Sequence, residues 1–190
     1  KGTPCFVAFP GVGDIGVLTA ELLEQLLPST TVAHVLDPSL PPLAQLDDNG
    51  VLQPPHHRLV RLDTASGPAH VLIGAGQSGL PHLQHATAVG LLEAMGGAKE
   101  VVGLAGFRAP AEDRRTFWVA TSADDAASFQ SEGRTVSRTE PQAGCIGALA
   151  LLVSLAPHHN LSGSLAVSTT VGESKDPSAS QRLAQMLDHT

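Results

Sequence analysis

Short apolar runs alternate with amphipathic stretches along the first forty residues. The run 5–9 predicts a buried strand, apolar residues recur at helical spacing over 15–26, and the run 31–36 predicts a second strand. This second strand ends at Asp37. Strand, helix and strand in this order indicate a βαβ unit, which is the building block of parallel sheets covered by helices.

The segment 37–66 departs from this alternation. It contains five prolines, and Asn49-Gly50 is a turn signal between short apolar pieces. No helical period is present, and Leu59, Val60 and Leu62 predict an extended, partly exposed strand. We therefore expect a hairpin or an extended excursion from the domain over this segment.

The rest of the chain returns to strands and helices. Further strands are predicted over 69–73, 100–106, 116–121 and 165–170. Further helices are predicted over 81–95, 123–132 and 144–156, and a last helix begins at Pro177 after the capping residue Asp176. A chain of 190 residues with this alternation fits one α/β layered domain over residues 1–190.

Charge and aromatic content exclude one class of partner. Charged residues make up 15% of the chain, the net charge is −7, and aromatic residues make up only 3%. Nucleic-acid binding needs a basic surface and aromatic side chains on which bases stack. We therefore expect no nucleic-acid partner.

The cysteines and the longest apolar run bear on location. Cys5 and Cys145 are the only cysteines and form no C-x-x-C motif, which suits a reducing compartment. The nearly unbroken apolar run 145–156 is too short to span a bilayer. We expect a globular protein of the cytoplasm or nucleus that has no membrane partner.

A glycine motif suggests two different roles. Gly11, Gly13 and Gly16 form G-x-G-x-x-G directly after the first predicted strand, and Asp37 follows Gly16 by 21 residues. In a dinucleotide-binding site the glycines admit a pyrophosphate and the carboxylate binds a ribose hydroxyl. This alternative predicts a nucleotide- or NAD-dependent enzyme. The proline-rich stretch 38–42 stands where such a fold continues to its second crossover helix. We therefore favour tight turns and close helix–strand packing, and expect no bound cofactor.

The nine histidines invite a search for a metal site. His82 and His85 have the i, i+3 spacing that places two ligands on one helix face, but no Asp or Glu lies within one turn. The pairs His56-His57 and His158-His159 fall in polar or proline-flanked stretches. We expect solvent-exposed histidines and no bound metal.

Two residues, Ser78 and Cys145, are candidate nucleophiles. Ser78 lies in a stretch that resembles a nucleophile elbow, but Leu80 replaces the second required glycine. Cys145 begins the predicted apolar helix, where its pKa would be lowered or, as we favour, its side chain would be packed in the core. A Ser-His-Asp site needs no sequence proximity, yet nothing in the chain points to one. We expect no catalytic residues.

The order of several short motifs resembles the proteasome assembly chaperone 2 family, which includes archaeal and bacterial relatives. The first is Pro10-Gly11-Val12-Gly13-Asp14-Ile15-Gly16 with the helix that follows it. The later ones are Leu40-Pro41-Pro42, Asn49-Gly50-Val51, Val71-Leu72-Ile73-Gly74, Gly144-Cys145-Ile146-Gly147, Val171-Gly172-Glu173-Ser174 and Asp176-Pro177.

This resemblance implies a fold and a role. The fold would be a three-layer αβα sandwich around a mostly parallel sheet, similar to nucleoside phosphorylases. The role would be that of a chaperone rather than an enzyme. Members of the family form homo- or hetero-oligomers, pair with a related chaperone and hold proteasome α subunits during ring assembly.

Overall fold

The computed structural model describes residues 2–141 and 144–188 of the predicted domain 1–190. Its strands are β1 (Thr3–Ala8), β2 (Ser29–Leu36), β3 (Gln45–Leu46), β4 (Leu52–Gln53), β5 (His56–Thr64), β6 (Gly67–Ile73), β7 (Ala98–Arg108), β8 (Thr116–Ala120) and β9 (Ser162–Thr170). Its α-helices are α1 (Ile15–Leu26), α2 (Pro81–Ala94), α3 (Ala123–Ser131), α4 (Ala148–Leu155) and α5 (Pro177–Asp188).

Seven strands form one sheet in the order β2-β5-β6-β1-β7-β9-β8. β1 pairs in parallel with β6 and β7, and β7 pairs in parallel with β9. Only β5 and β8 run against the common direction among these strands, because both pair antiparallel with their neighbours. The mostly parallel α/β sheet is therefore confirmed.

Helices cover both faces of the sheet. Neighbouring residues of a strand point to opposite faces, and accordingly Val7 packs with residues of α2 and α4, whereas Ala8 packs with residues of α1, α3 and α5. Both side chains are fully buried. Strands buried on both faces need apolar residues at consecutive positions, which explains the unbroken apolar runs. The predicted three layers are thus present.

The first βαβ unit is formed, but its strands are not neighbours. β2 runs in the direction of β1, yet β6 and β5 lie between them. β2 forms one edge of the sheet and pairs only with β5 among the described strands. The connection through α1 therefore crosses two strand positions before the chain returns to the sheet.

The segment 37–66 contains a small hairpin and a long strand. β3 and β4 pair antiparallel with each other and form a separate two-stranded ladder. β5 then enters the main sheet between β2 and β6. The predicted extended, partly exposed strand is present as β5: Arg61 and Asp63 are exposed, whereas Val60 and Leu62 are buried beneath the α1 layer.

The apolar helix predicted over 144–156 is shorter than expected. α4 begins at Ala148, because Gly144 and Gly147 adopt φ values of +80° and +114°, which break the helical path. Ile146 between them is 99% exposed. Within the described residues, no helix is both long enough and apolar enough to cross a membrane.

Candidate functional site

The G-x-G-x-x-G loop connects β1 to α1, and its last glycine, Gly16, lies in the first turn of α1 and packs tightly against the sheet. A Cβ atom at Gly16 would overlap the carbonyl oxygen of Leu104 on β7. Gly13 adopts a φ of +66°, and its carbonyl oxygen accepts a 2.9 Å hydrogen bond from the backbone N–H of Asp176. The loop glycines therefore allow α1 to approach β7 closely.

Asp37 and this loop follow strands that are not neighbours in the sheet. Asp37 follows β2, and β2 is separated from β1 by two strands. Its carboxylate accepts a hydrogen bond from Thr87 of α2, on the face of the sheet opposite to α1. The dinucleotide-binding alternative required Asp37 beside Gly11, Gly13 and Gly16, and the structure does not bring these residues together.

The second glycine loop, 74–79, is held by the side chain of Gln77. Its amide nitrogen donates to the carbonyl oxygen of Pro10, and its amide oxygen accepts from the backbone N–H of Ala148, the first residue of α4. Ser78 of the same loop is buried, and its hydroxyl oxygen accepts from the N–H of Leu80. Within the described ranges no histidine forms a hydrogen bond with Ser78, so no general base stands beside this candidate nucleophile.

Four polar side chains meet between β5 and α2, and we call them the Asp37 cluster: Asp37 and Ser39 from the turn after β2, His57 from β5 and Thr87 from α2. Oδ2 of Asp37 accepts from Thr87 Oγ1 at 2.9 Å and from His57 Nε2 at 3.2 Å. Oδ1 accepts from the backbone N–H of Ser39 at 2.8 Å. The hydroxyl groups of Ser39 and Thr87 are 3.1 Å apart. The cluster thus ties the end of the edge strand β2 to α2.

His57 is the most deeply buried member of the cluster. Its imidazole is fully buried and contacts the ring of Phe9 edge-on, with a centroid distance of 5.3 Å. Nδ1 accepts a 3.2 Å hydrogen bond from the backbone N–H of Ala75, so Nε2 carries the proton that is donated to Asp37. The ring is therefore neutral in this arrangement.

The electrostatics agree with a neutral histidine beside an ionised carboxylate. Burial lowers the pKa of His57, and the hydrogen bond and the charge of Asp37 only partly oppose this effect. Burial raises the pKa of Asp37, but hydrogen bonds from Ser39, Thr87 and His57 outweigh it, so the pKa lies below its ordinary value. The cluster therefore carries one negative charge at neutral pH.

This arrangement does not form a nucleophile–base relay. Both ring nitrogens of His57 are engaged, one by Asp37 and one by the chain at Ala75. No ring nitrogen remains to accept a proton from Ser39 or from a substrate. The Asp37 cluster holds its elements together and presents a carboxylate and two hydroxyl groups to the adjoining space.

The other predicted site residues are scattered over the surface. His82 and His85 are exposed on α2, and no group of three or more His, Cys, Asp or Glu side chains suited to a metal ion occurs in 2–141 and 144–188. Cys145 is exposed, so it is not packed in the core as expected. It also precedes α4 by three residues and therefore does not begin that helix. The surrounding chain still desolvates its thiol enough to raise, rather than lower, its pKa.

The expectation of a solvent-exposed histidine is wrong for His57. A strand extended backwards from Leu59 would have placed His57 on the same face as Leu59, two positions away. This alternation was the available signal, but Pro54 and Pro55 suggested a loop instead. His56, on the other face of β5, stacks on His34 of β2 with a centroid distance of 4.2 Å.

Comparison with known proteins identifies relatives of the whole chain. The model of the PAC2 family matches residues 5–189. The crystal structure of Pyrococcus furiosus PbaB, described as an archaeal proteasome activator, is similar with a TM-score of 0.87 and 17% identity, covering 100% of this chain and 83% of that chain. Pyrococcus furiosus PbaA, described as an archaeal homolog of proteasome-assembly chaperone, gives 0.80 and 19%, covering 99% and 80%.

A bacterial structure shares the same fold. The PAC2 family protein from Streptomyces avermitilis has a TM-score of 0.76 and 19% identity, covering 97% of this chain and 84% of that chain. At these identities the likeness concerns the fold. No curated protein sequence gives a significant match.

Proposed function

The chain belongs to the PAC2 family, and on this premise we propose that it is a non-enzymatic, chaperone-like protein that assists the assembly of proteasome α subunits into rings. It would act through protein–protein contacts with α subunits or with a related chaperone, in the cytoplasm. The likeness to PbaA, an archaeal homolog of proteasome-assembly chaperone, and to PbaB, an archaeal proteasome activator, supports this choice of partner.

The observation that carries the proposal is an exposed apolar surface on the β3–β4 hairpin. Four residues form this hairpin surface, and between 53% and 69% of each is exposed: Leu43, Leu46, Val51 and Leu52. Apolar side chains grouped in this way, outside the packed core, are typical of a contact site for another protein.

The hairpin surface is held in a defined shape. Oδ1 of Asp47 accepts from the backbone N–H groups of Asn49 and Val51, both at 2.9 Å, and thereby closes the turn. Oδ2 accepts from the side-chain amide of Gln53 on β4. A turn that is ordered before binding loses less conformational entropy in the complex.

A groove of about 510 Å³ adjoins the hairpin surface. Leu43 and Leu46 line one side of it, and Val17 and Glu21 of α1 line the other. The bidentate ion pair between Arg58 and Glu24 bridges β5 and α1 close by. The apolar side chains therefore border a concave region into which a partner segment can extend.

The test is affinity capture of recombinant proteasome α subunits from the organism that encodes the chain. We expect the wild-type chain to bind and the double substitution Leu46→Glu with Leu52→Glu to weaken binding at least about tenfold, as for the loss of a hot-spot contact. The matched control is Leu26→Glu, because Leu26 is 68% exposed but lies at the end of α1.

Because these leucines are exposed, all variants should keep the melting temperature of the wild type. Absence of binding by the wild-type chain would refute the choice of partner. Equal binding by the double variant and the control would refute the hairpin surface as the contact.

A further inference from the structure

A second concave site lies beside the Asp37 cluster. It is a cavity of about 350 Å³ between the end of β2 and α2, which is within the size range of ligand pockets. Its walls are mainly apolar and include Val35, Leu36, Leu83 and Leu91. Leu36 at the rim is largely exposed, so the cavity is open to solvent.

The carboxylate at its polar end has no cationic partner among the residues that the structure describes. The side chain of Asp37 is 8% exposed, and within 2–141 and 144–188 its only ion-pair contact is His57. His57 is neutral because its Nδ1 accepts from the N–H of Ala75. A nearly buried carboxylate without a countercharge favours binding of a cation, because a cation recovers part of the cost of desolvation.

The geometry leaves room for one strong donor. Oδ2 of Asp37 already accepts two hydrogen bonds, whereas Oδ1 accepts one from the backbone of Ser39. Asp37, Ser39 and Thr87 all line the cavity, and when the hydroxyl of Ser39 donates to Thr87 rather than to Asp37, Oδ1 keeps one acceptor position free. A carboxylate with a single open oxygen suits the compact ammonium of lysine better than the two-pronged guanidinium of arginine.

We propose that this cavity receives a lysine side chain of a protein partner, with the ammonium on Oδ1 of Asp37 and the alkyl stem along the apolar walls. The net charge of −7 favours a basic partner segment. The volume exceeds that of one side chain, so apolar neighbours of the lysine would fill the rest. This inference rests on the proposed function insofar as the lysine belongs to a protein.

The probe is the peptide acetyl-Leu-Lys-Leu-amide, titrated into the full chain and followed by amide chemical shifts. Two matched peptides carry norleucine or arginine instead of lysine. We expect the lysine peptide to shift the amides of Ser39, Thr87 and Gly90 and to bind at least about tenfold more tightly than either control. Equal affinities for lysine and norleucine, an equal or tighter arginine peptide, or no binding of the lysine peptide would overturn the proposal.

Two variants of the chain complete the test. Asp37→Asn removes the charge, and Gly90→Leu places a side chain in the cavity from α2 while keeping Asp37, because Gly90 lines the cavity and a Cβ there meets no atom within 4 Å. Each should abolish the preference for lysine, and Gly90→Leu keeps the test valid if Asp37→Asn unfolds the chain. Retention of that preference by a folded Gly90→Leu variant would contradict the assignment.

Each of the two proposals can be refuted without refuting the other. If the lysine peptide binds as expected but no α subunit is captured, the cavity remains a lysine site and the proposed partner is wrong. If α subunits bind the wild type and the Gly90→Leu variant equally, the proposed function stands and the cavity has no part in it.

Discussion

Gly16 and Gly90 both lie within helices, but a methyl group would meet different surroundings at each. At Gly16 it would overlap the carbonyl oxygen of Leu104, a backbone atom of β7 that cannot move away by a side-chain rotation. At Gly90 it would meet nothing within 4 Å. The same substitution should therefore change the free energy of unfolding in opposite directions.

We expect Gly16→Ala to destabilise the chain by about 1–3 kcal/mol, because α1 must move away from β7. Gly90→Ala should stabilise it by about 0.8–1 kcal/mol, because alanine favours the helix. Urea denaturation followed by circular dichroism measures both changes. A Gly16→Ala variant as stable as the wild type would show that close packing is not the role of this glycine.

The last helix depends on its first turn. Oδ1 of Asp176 accepts a 2.9 Å hydrogen bond from the backbone N–H of Ala179, and Oδ2 accepts a 2.7 Å hydrogen bond from the hydroxyl of Thr170 on β9. Asp176 therefore both caps α5 and fixes its position over the sheet.

We expect Asp176→Ala to lower the free energy of unfolding by about 0.5–2 kcal/mol, because the N–H group of Ala179 and the hydroxyl of Thr170 both lose their acceptor. The control Ser178→Ala, at an exposed position of the same turn, should stay within about 0.5 kcal/mol of the wild type. Denaturant midpoints at constant m-value give both numbers. Equal stability of the two variants would mean that the cap contributes nothing.

The start of α5 was predictable because its signals are local: Asp176 can cap, and Pro177 suits the first helical position. The start of α4 was not, because an apolar run does not reveal that Gly144 and Gly147 adopt positive φ values. The position of β2 depends on pairing with β5, which lies some twenty residues later in the chain. A hydrophobic pattern identifies a strand but not its neighbours, so the Asp37 cluster could not be assembled from the sequence.

Acid sensitivity is a property of the whole chain, since it follows from proton uptake by the unfolded state. The ordinary pKa of histidine is 6.5, and the pKa of His57 in the folded chain lies below it, chiefly because of burial and despite the nearby charge of Asp37. Between these two values the unfolded chain binds more protons. The contribution of His57 to the free energy of unfolding therefore has its full value above about pH 6.5 and declines as the pH falls below it.

A second loss follows at lower pH. The pKa of Asp37 in the folded chain lies below its ordinary value of 3.8, because its hydrogen bonds outweigh the effect of burial. Its contribution is present above that ordinary value and disappears as the pH falls through the lowered pKa. The two groups act in the same direction, but in different pH ranges.

We therefore expect the free energy of unfolding to be nearly constant between pH 8 and 7 and to fall below pH 6.5, by at most about 1.4 kcal/mol per pH unit for one proton. Protonation of His57 Nδ1 would turn its hydrogen bond into a repulsive contact between two donors, because the N–H of Ala75 already points at this nitrogen. The variant His57→Gln cannot take up this proton, so its stability should fall less between pH 6.5 and 5. Urea denaturation of both proteins at several pH values measures the difference, and parallel pH profiles would show that His57 is not the group responsible.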